Sequence, residues 1–277
     1  DQLCRMHPAF LRSLRNDRHS FPALSESLDA RYPHQPYGQK LTVMSHRLRQ
    51  MLRHPASQED GYASAEDVRQ DLEQIRRSLA FHKADPIASS AVEKLMLQVE
   101  LFRLCFARLD VRDHSRRHLE AFADIVKLNG LSRTDPRTMP ESQRMELLTT
   151  LLAQPSYLDL LRGVSADTQE VVRTFKVMGD YLEQVDPEAV DGYIISMTHQ
   201  PSDVLIVLWL CQQTDLFRRA SVGWRSAVNI IPLFEGIDDL RRAHETMAAL
   251  YQHPSYQHHL KARGHLQQIQ LGYSDSN

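Results

Sequence analysis

Two acidic residues close short apolar runs 40 residues apart: Glu235 ends "VNIIPLFE" and Asp275 ends "LQQIQLGYSD". If these runs are neighbouring strands, about 4.8 Å apart in the pairing direction, one divalent cation can sit between the two carboxylates. Oxygen-only ligation completed by water and substrate suits Mg2+ or Mn2+ better than zinc. The competing role for each residue is to cap the helix that follows, and spacing alone leaves both roles open. A third candidate, Arg112, ends "LCFARLDVR" and is followed by "DHSRRH", where Ser115 is placed to cap a helix. A guanidinium beside a helix N-terminus can hold a phosphate. An ion pair with Asp110 or Asp113 is the other use for it.

These residues need a scaffold that gathers strand ends. Up to residue 103 the pattern is helical, with apolar residues three and four apart in "LTVMSHRLRQML" and "VRQDLEQIRRSL". Ser64 and Asp67 have N-cap spacing for the second of these helices. After residue 103 the texture changes. Strand-like runs at 104 to 112, 192 to 197, 228 to 235 and 266 to 273 alternate with helical stretches such as "SRRHLEAFADIVKL", "SDVLIVLWLCQQ" and "DDLRRAHETMAALYQH". Such alternation predicts parallel strands with helices packed outside, and "VNIIPLF" is apolar on both sides of the pleat, as a doubly covered strand must be.

From Ser196 to Glu235 is 39 residues and from Glu235 to Asp275 is 40, the repeat of a β/α barrel unit. The fold class is therefore α/β and helix-rich, part of a TIM-type barrel with about four parallel strands and many surrounding helices. Eight strands are typical of such a barrel, so the remainder is expected outside this chain. Residues 1–103 form a mainly helical part and 104–277 a partial barrel carrying the metal and phosphate sites. The two are expected to be one continuous domain cut from a larger enzyme. In parallel β/α architectures chemistry gathers at the carboxyl ends of strands. Here those ends carry Arg112 with Asp113 and His114, Ser196 with Thr198, Glu235, and Ser274 with Asp275.

Bulk properties narrow the function classes. Lys and Arg number 33 against 35 Asp and Glu, a formal net charge of -2, so no overall field draws the protein to nucleic acid or an anionic membrane. Neither is expected as a partner. Only 10 glycines occur in 277 residues, which disfavours a β-turn-rich fold. Cys4, Cys105 and Cys211 are widely spaced, which predicts neither a disulfide framework nor a zinc site and fits a reducing cytoplasm. The longest apolar run, "VLIVLWLC", falls far short of the ~20 residues of a membrane span. His258 and His259, adjacent on one helix, face different ways and read as solvated surface rather than metal ligands. Met197, residues 204 to 211 and a buried Cys211 thiol read as core.

"LDVRDHSRRHLEA", "YIISMTHQPSDVL", "VNIIPLFEGIDDL" and "IQLGYSDSN", in this order, resemble four consecutive blocks of phosphoenolpyruvate carboxylase, over a stretch running from about residue 37 to the end. The resemblance implies a cytoplasmic, Mg2+-dependent (or Mn2+-dependent) carbon-carbon lyase, a homotetramer, that carboxylates phosphoenolpyruvate with bicarbonate to give oxaloacetate and phosphate. It implies metal ligation by Glu235 and Asp275 and phosphate binding by Arg112. Two departures stand out. Asp113 occupies a position that is often Gln in the family, which puts a negative charge beside the phosphate arginine. Gly236 occupies one that is often Thr, and little effect is expected.

The family's histidine in a "TAHPTE" block, its lysine after "YSDS" and its "GRGG" loop have no counterpart here. The chain reads as the middle of the enzyme, with no catalytic residue assigned within it, and the isolated segment is expected to be inactive. Two other readings compete. One is another β/α-barrel enzyme with a metal-stabilised enolate, such as a lyase or aldolase, which is separated from the carboxylase by whether phosphate release requires bicarbonate. A non-catalytic helical interaction module would lose no ligand affinity on Glu235→Ala or Asp275→Ala.

Overall fold

The apolar runs that alternate with helical patterns pair side by side in one parallel sheet. The computed structural model describes residues 6–53, 60–84, 88–105, 107–154 and 158–272. They fall into two compact units, Asp1–Arg108 with Gln184–Asp186, and Leu109–Glu183 with Pro187–Asn277.

The first unit is helical: α1 (Pro8–Ser20), α2 (Pro22–Arg31), α3 (Pro36–Arg53), α4 (Ala65–Phe81) and α5 (Glu93–Phe102), the last preceded by a π-helical turn at Ala88–Val92. Proline opens α1, α2 and α3, where its missing N–H costs nothing. Ser64 caps α4 as its spacing predicts, its hydroxyl accepting the N–H of Asp67 at 3.3 Å. Apolar residues at helical spacing, among them Phe10, Leu14, Met44, Val68, Leu72 and Ile75, form the core.

The second unit runs β1 (Leu109–His114), α6 (Ser115–Leu128), α7 (Glu141–Ala153), α8 (Ala166–Gln184), β2 (Val190–Ser196), α9 (Pro201–Gln213), β3 (Phe217–Arg219), β4 (Trp224–Ser226), β5 (Asn229–Phe234), α10 (Ile237–Gln252), α11 (Pro254–Ala262) and β6 (Gln270–Leu271). β1, β2, β5 and β6 lie in that order, every adjacent pair parallel. Arg112 sits opposite Ile194, and Ile194 opposite Ile231. Every residue of β5 is buried, which explains its unbroken apolar run. α9 is buried on all sides from Ser202 to Gln212, with Trp209 edge-on to Phe122 of α6 at 5.0 Å. A helix apolar all round belongs inside a core.

Boundaries differ from expectation at both ends of the sheet. The first strand is Leu109–His114 rather than 104 to 112, because Leu104 packs against the core of the helical unit instead. Of the last run only Gln270–Leu271 pairs, with Leu233–Phe234, and residue 273 lies outside the described residues. The antiparallel hairpin of β3 and β4 is not foreseen at all. Its arginine-rich strands lack apolar alternation, and only Gly223, at φ 73°, marks its turn.

Candidate functional site

β1, β2 and β5 deliver their last residues to one edge of the sheet. Glu235 follows Phe234 directly and is 7% exposed. One carboxylate oxygen, Oε1, accepts the backbone N–H of Met197 at 2.7 Å. The other, Oε2, stands 3.9 Å from the Arg112 guanidinium, which reaches across β2 from the opposite flank. At that separation the pair is a loose ionic contact, worth little by itself. Among the described residues the carboxylate is thus anchored through one oxygen and only loosely met at the other, an arrangement compatible with ligating a cation.

The loop after β2 is fixed residue by residue. Met197 adopts φ 54°, a left-handed turn uncommon outside glycine. Its carbonyl accepts the Ser115 hydroxyl at 2.6 Å. Thr198 donates its N–H to the Leu233 carbonyl at 3.1 Å and its hydroxyl to the Ile195 carbonyl at 2.8 Å. The N–H groups of His199 and Gln200 both go to Asp203 Oδ2, at 2.9 and 3.0 Å. Burial pushes the Asp203 carboxyl above its ordinary pKa, and the two N–H donors pull it back only in part.

Glycine sets the distance between β5 and β6. Gly272 donates its N–H to the Phe234 carbonyl at 2.8 Å. A Cβ there would stand 2.6 Å from Glu235 Cβ and 2.9 Å from its Cα, so a larger residue would push the two strand ends apart. The chain three residues before Asp275 therefore lies directly against Glu235. Ser274 and Asp275 themselves lie outside the described residues. Among the described residues no three His, Cys, Asp or Glu side chains converge on a metal position.

Several sequence expectations are redistributed. α6 is capped by His114, whose Nδ1 accepts the N–H of Arg116 at 3.0 Å, not by Ser115, whose hydroxyl is turned to the loop after β2. Asp113, on the other side of the pleat from Arg112, pairs with Arg117 at 2.9 Å and accepts the His114 N–H at 2.7 Å. Met197 is not core; it is partly exposed and supplies the donor that holds Glu235. No side-chain signal could have revealed a backbone N–H. A glycine in an otherwise strand-like run does signal close backbone approach, and Gly272 is one. His258 and His259 do face apart, but only His258 is surface; it stacks on Trp224 at 5.0 Å, while His259 is buried against the Ser226 hydroxyl at 2.8 Å. Cys211 is a buried thiol whose pKa burial raises. Cys105 makes no disulfide among the described residues, and Cys4 lies outside them. No described helix is long and apolar enough to cross a membrane.

Comparison with known proteins gives this strand-end cluster its context. The family model of phosphoenolpyruvate carboxylase matches residues 1–277. The phosphoenolpyruvate carboxylase of Roseiflexus castenholzii is 35% identical over 277 residues, covering 96% of this chain and 29% of that protein. That of Rhodothermus marinus is 36% identical over 261 residues, 88% of this chain and 27% of the relative. That of a Synechocystis species is 29% identical over 317 residues, 99% and 30% respectively. The chain spans about three-tenths of the length of these curated relatives. With its whole length matched by the family model and relatives above 30% identity along nearly all of it, the chain belongs to the phosphoenolpyruvate carboxylase family.

Proposed function

We propose that this chain is the metal- and phosphate-holding segment of a phosphoenolpyruvate carboxylase, a cytoplasmic homotetramer that converts phosphoenolpyruvate and bicarbonate to oxaloacetate and phosphate. On this reading the four parallel strands are an arc of a β/α barrel. The observation that carries it is Glu235: a buried carboxylate at a strand end, one oxygen fixed by the Met197 N–H and the other opposite the Arg112 guanidinium.

Glu235 and Asp275 would hold Mg2+ or Mn2+, a cation that when bound stabilises negative charge developing on the substrate. The chemistry of the donor set agrees. Glu235 offers an oxygen that no hydrogen bond holds among the described residues, and Gly272 brings the chain that leads to Asp275 alongside it. The Met197 N–H holds the carboxylate in one orientation, so ligation costs less side-chain entropy. Arg112, with its side chain half exposed at the rim, binds the phosphoryl group of phosphoenolpyruvate by charge-assisted hydrogen bonds. In the reaction, a bicarbonate oxygen bonds to phosphorus as the bond from phosphorus to the enolate oxygen breaks. The carboxyphosphate so formed releases CO2 to the enolate carbon. Arg112 follows the phosphoryl group throughout, because its charge is needed on both the reactant and the product phosphate.

The test is the full-length protein carrying Glu235→Gln or Asp275→Asn, assayed for bicarbonate-dependent phosphate release and for Mn2+ binding. Each substitution removes one negative charge with little change of shape, so turnover should fall by about 10²-fold or more and Mn2+ affinity with it. Near-normal turnover at saturating Mg2+ in either variant would overturn the assignment.

A further inference from the structure

The loop that anchors Glu235 is itself fastened to the helix that begins just after Glu235. His199, two residues past Met197, places Nδ1 2.9 Å from Oδ2 of Asp239 in the first turn of α10. Asp239 is 7% exposed in its side chain and His199 44%. A carboxylate has no proton to give, so Nδ1 carries the hydrogen. Oδ1 of the same aspartate faces Arg242 at 3.4 Å. The rest of the loop is held by Ser115, Asp203 and backbone groups. Among the described residues, the loop's side-chain hydrogen bond to α10 is made by this imidazole.

Gly236 is part of the arrangement. A Cβ there would stand 2.5 Å from Asp239 Oδ2, the oxygen that accepts from His199. Its φ of -77° is open to any residue, so what glycine supplies is room for the carboxylate and not backbone freedom. The sequence expectation that glycine in place of threonine has little effect therefore meets a specific obstacle: a side chain at 236 displaces the aspartate from its histidine.

We infer that His199, Asp239 and Gly236 form a latch that positions Glu235. The imidazole ties the 197–200 loop to α10, and the loop in turn presents the Met197 N–H that orients the carboxylate. This rests on the reading of Glu235 as a metal ligand only for its functional consequence. The latch itself is a property of the loop. Partners one step behind a ligand typically change metal affinity 10- to 100-fold. His199 stands a further step back, and the effect expected of its loss is about three- to tenfold.

The experiment uses the full-length protein with four substitutions: His199→Ala, which removes the donor; His199→Asn, whose side-chain amide can donate from the position of Nδ1; Gly236→Ala; and Glu235→Gln. Hydrogen exchange of the peptide carrying Met197 to Gln200 is measured without metal, and Mn2+ affinity by electron paramagnetic resonance. His199→Ala and Gly236→Ala should each accelerate exchange of that peptide and weaken Mn2+ about three- to tenfold, while His199→Asn stays near wild type. In the His199→Ala background, Gly236→Ala should add nothing, because both act through the same hydrogen bond. If Glu235→Gln abolishes Mn2+ binding while His199→Ala leaves exchange and affinity unchanged, the latch is refuted and the metal assignment stands. If His199→Ala accelerates exchange but Glu235→Gln leaves Mn2+ affinity intact, the latch exists but positions no metal ligand, and the inference fails in its functional half.

Discussion

The helical unit and the sheet edge both bury charge, and they treat it in opposite ways. In the helical unit Lys40, 1% exposed, places Nζ 2.9 Å from Asp17 and 2.6 Å from Asp71. Asp71 also accepts the Tyr62 hydroxyl at 2.8 Å, and the Arg47 guanidinium lies 3.7 Å over the Tyr62 ring and 3.6 Å from Asp71. The cluster ties α1, α3, α4 and the loop before α4 together. Burial raises the Asp17 pKa above its ordinary value, with the attraction of Lys40 opposing, and burial likewise pushes the Tyr62 hydroxyl up. At the sheet edge Glu235 has, among the described residues, one hydrogen bond and a guanidinium held at 3.9 Å. A cluster whose charges satisfy one another stabilises a fold; one that leaves an oxygen open keeps capacity for a ligand. The difference lies in completeness, not in residue type.

The sharpest way to break this contrast is to remove the central charge of the closed cluster. Lys40→Met keeps most of the volume but leaves Asp17 and Asp71 buried without their cation. Breaking a buried pair on one side costs about 3–5 kcal/mol, and urea unfolding should show that loss. Glu235→Gln should cost under about 1 kcal/mol, because its amide oxygen can still accept the Met197 N–H and no buried cation is orphaned. If the two variants lost equal stability, the open and closed clusters would not differ as argued.

A smaller effect comes from groups kept neutral by burial. His118 of α6, fully buried, shares a 2.8 Å hydrogen bond with the Tyr193 hydroxyl while its Nδ1 has no partner among the described residues. Burial first, and then the charges of Arg117 and His114, push its pKa down to about 4, with Asp113 opposing. His259 is likewise pushed down to about 3, by burial and the nearby Arg263. A histidine whose folded pKa is depressed contributes stability that is complete above its unfolded value. That stability drains as pH falls toward the folded one, because only the unfolded chain takes up the proton. The share of stability that rests on these two histidines should therefore decline from pH 6.5 downward. Glu141 and Asp203, raised by burial, act in the opposite sense, and do so equally in wild type and in a His118 variant. His118→Gln should flatten the slope there by about 1.4 kcal/mol per pH unit. Parallel slopes for variant and wild type would show that His118 is protonated in the native state.

What the sequence disclosed divides by the kind of group involved. Side-chain patterns were legible: "VNIIPLF" is buried on both faces because its residues are apolar on both, and "SDVLIVLWLCQQ" is a core helix for the same reason. The neighbouring of β5 and β6 follows from the regular 39- and 40-residue steps. Edges were less legible. "LCFARLDVR" merges the end of one unit with the start of a strand, and one-dimensional apolarity does not tell which core Leu104 joins. In the site, Glu235 stands out because a charge buried at the end of an apolar run is costly unless paired, and Arg112 because it closes such a run directly ahead of a helix start. Met197 does not, since its contribution is made by a backbone donor that any residue carries.

The smallest predicted effect concerns Asp113, where the resemblance raises the worry of a negative charge beside the phosphate arginine. Successive strand residues point to opposite faces, so Asp113 shares neither the side of the pleat nor the partners of Arg112. Its Oδ2 is 2.9 Å from Arg117, its Oδ1 accepts the His114 N–H, and Arg117 goes on to Glu170 at 3.2 Å. The charge is thus spent within α6 and its N-terminus. Ser196 adds a further tie, its hydroxyl donating to the Asp113 carbonyl at 3.1 Å, a bond that any side chain at 113 preserves. On the proposed function, Asp113→Gln in the full-length protein should therefore change the KM for phosphoenolpyruvate by no more than about threefold, the scale of a part-exposed ion pair. It should also leave Arg117 without its nearest carboxylate, detectable as a slight loss of stability that added salt diminishes. A tenfold or larger fall in KM would mean that the Asp113 charge reaches the phosphate position after all, and that pairing with Arg117 does not contain it.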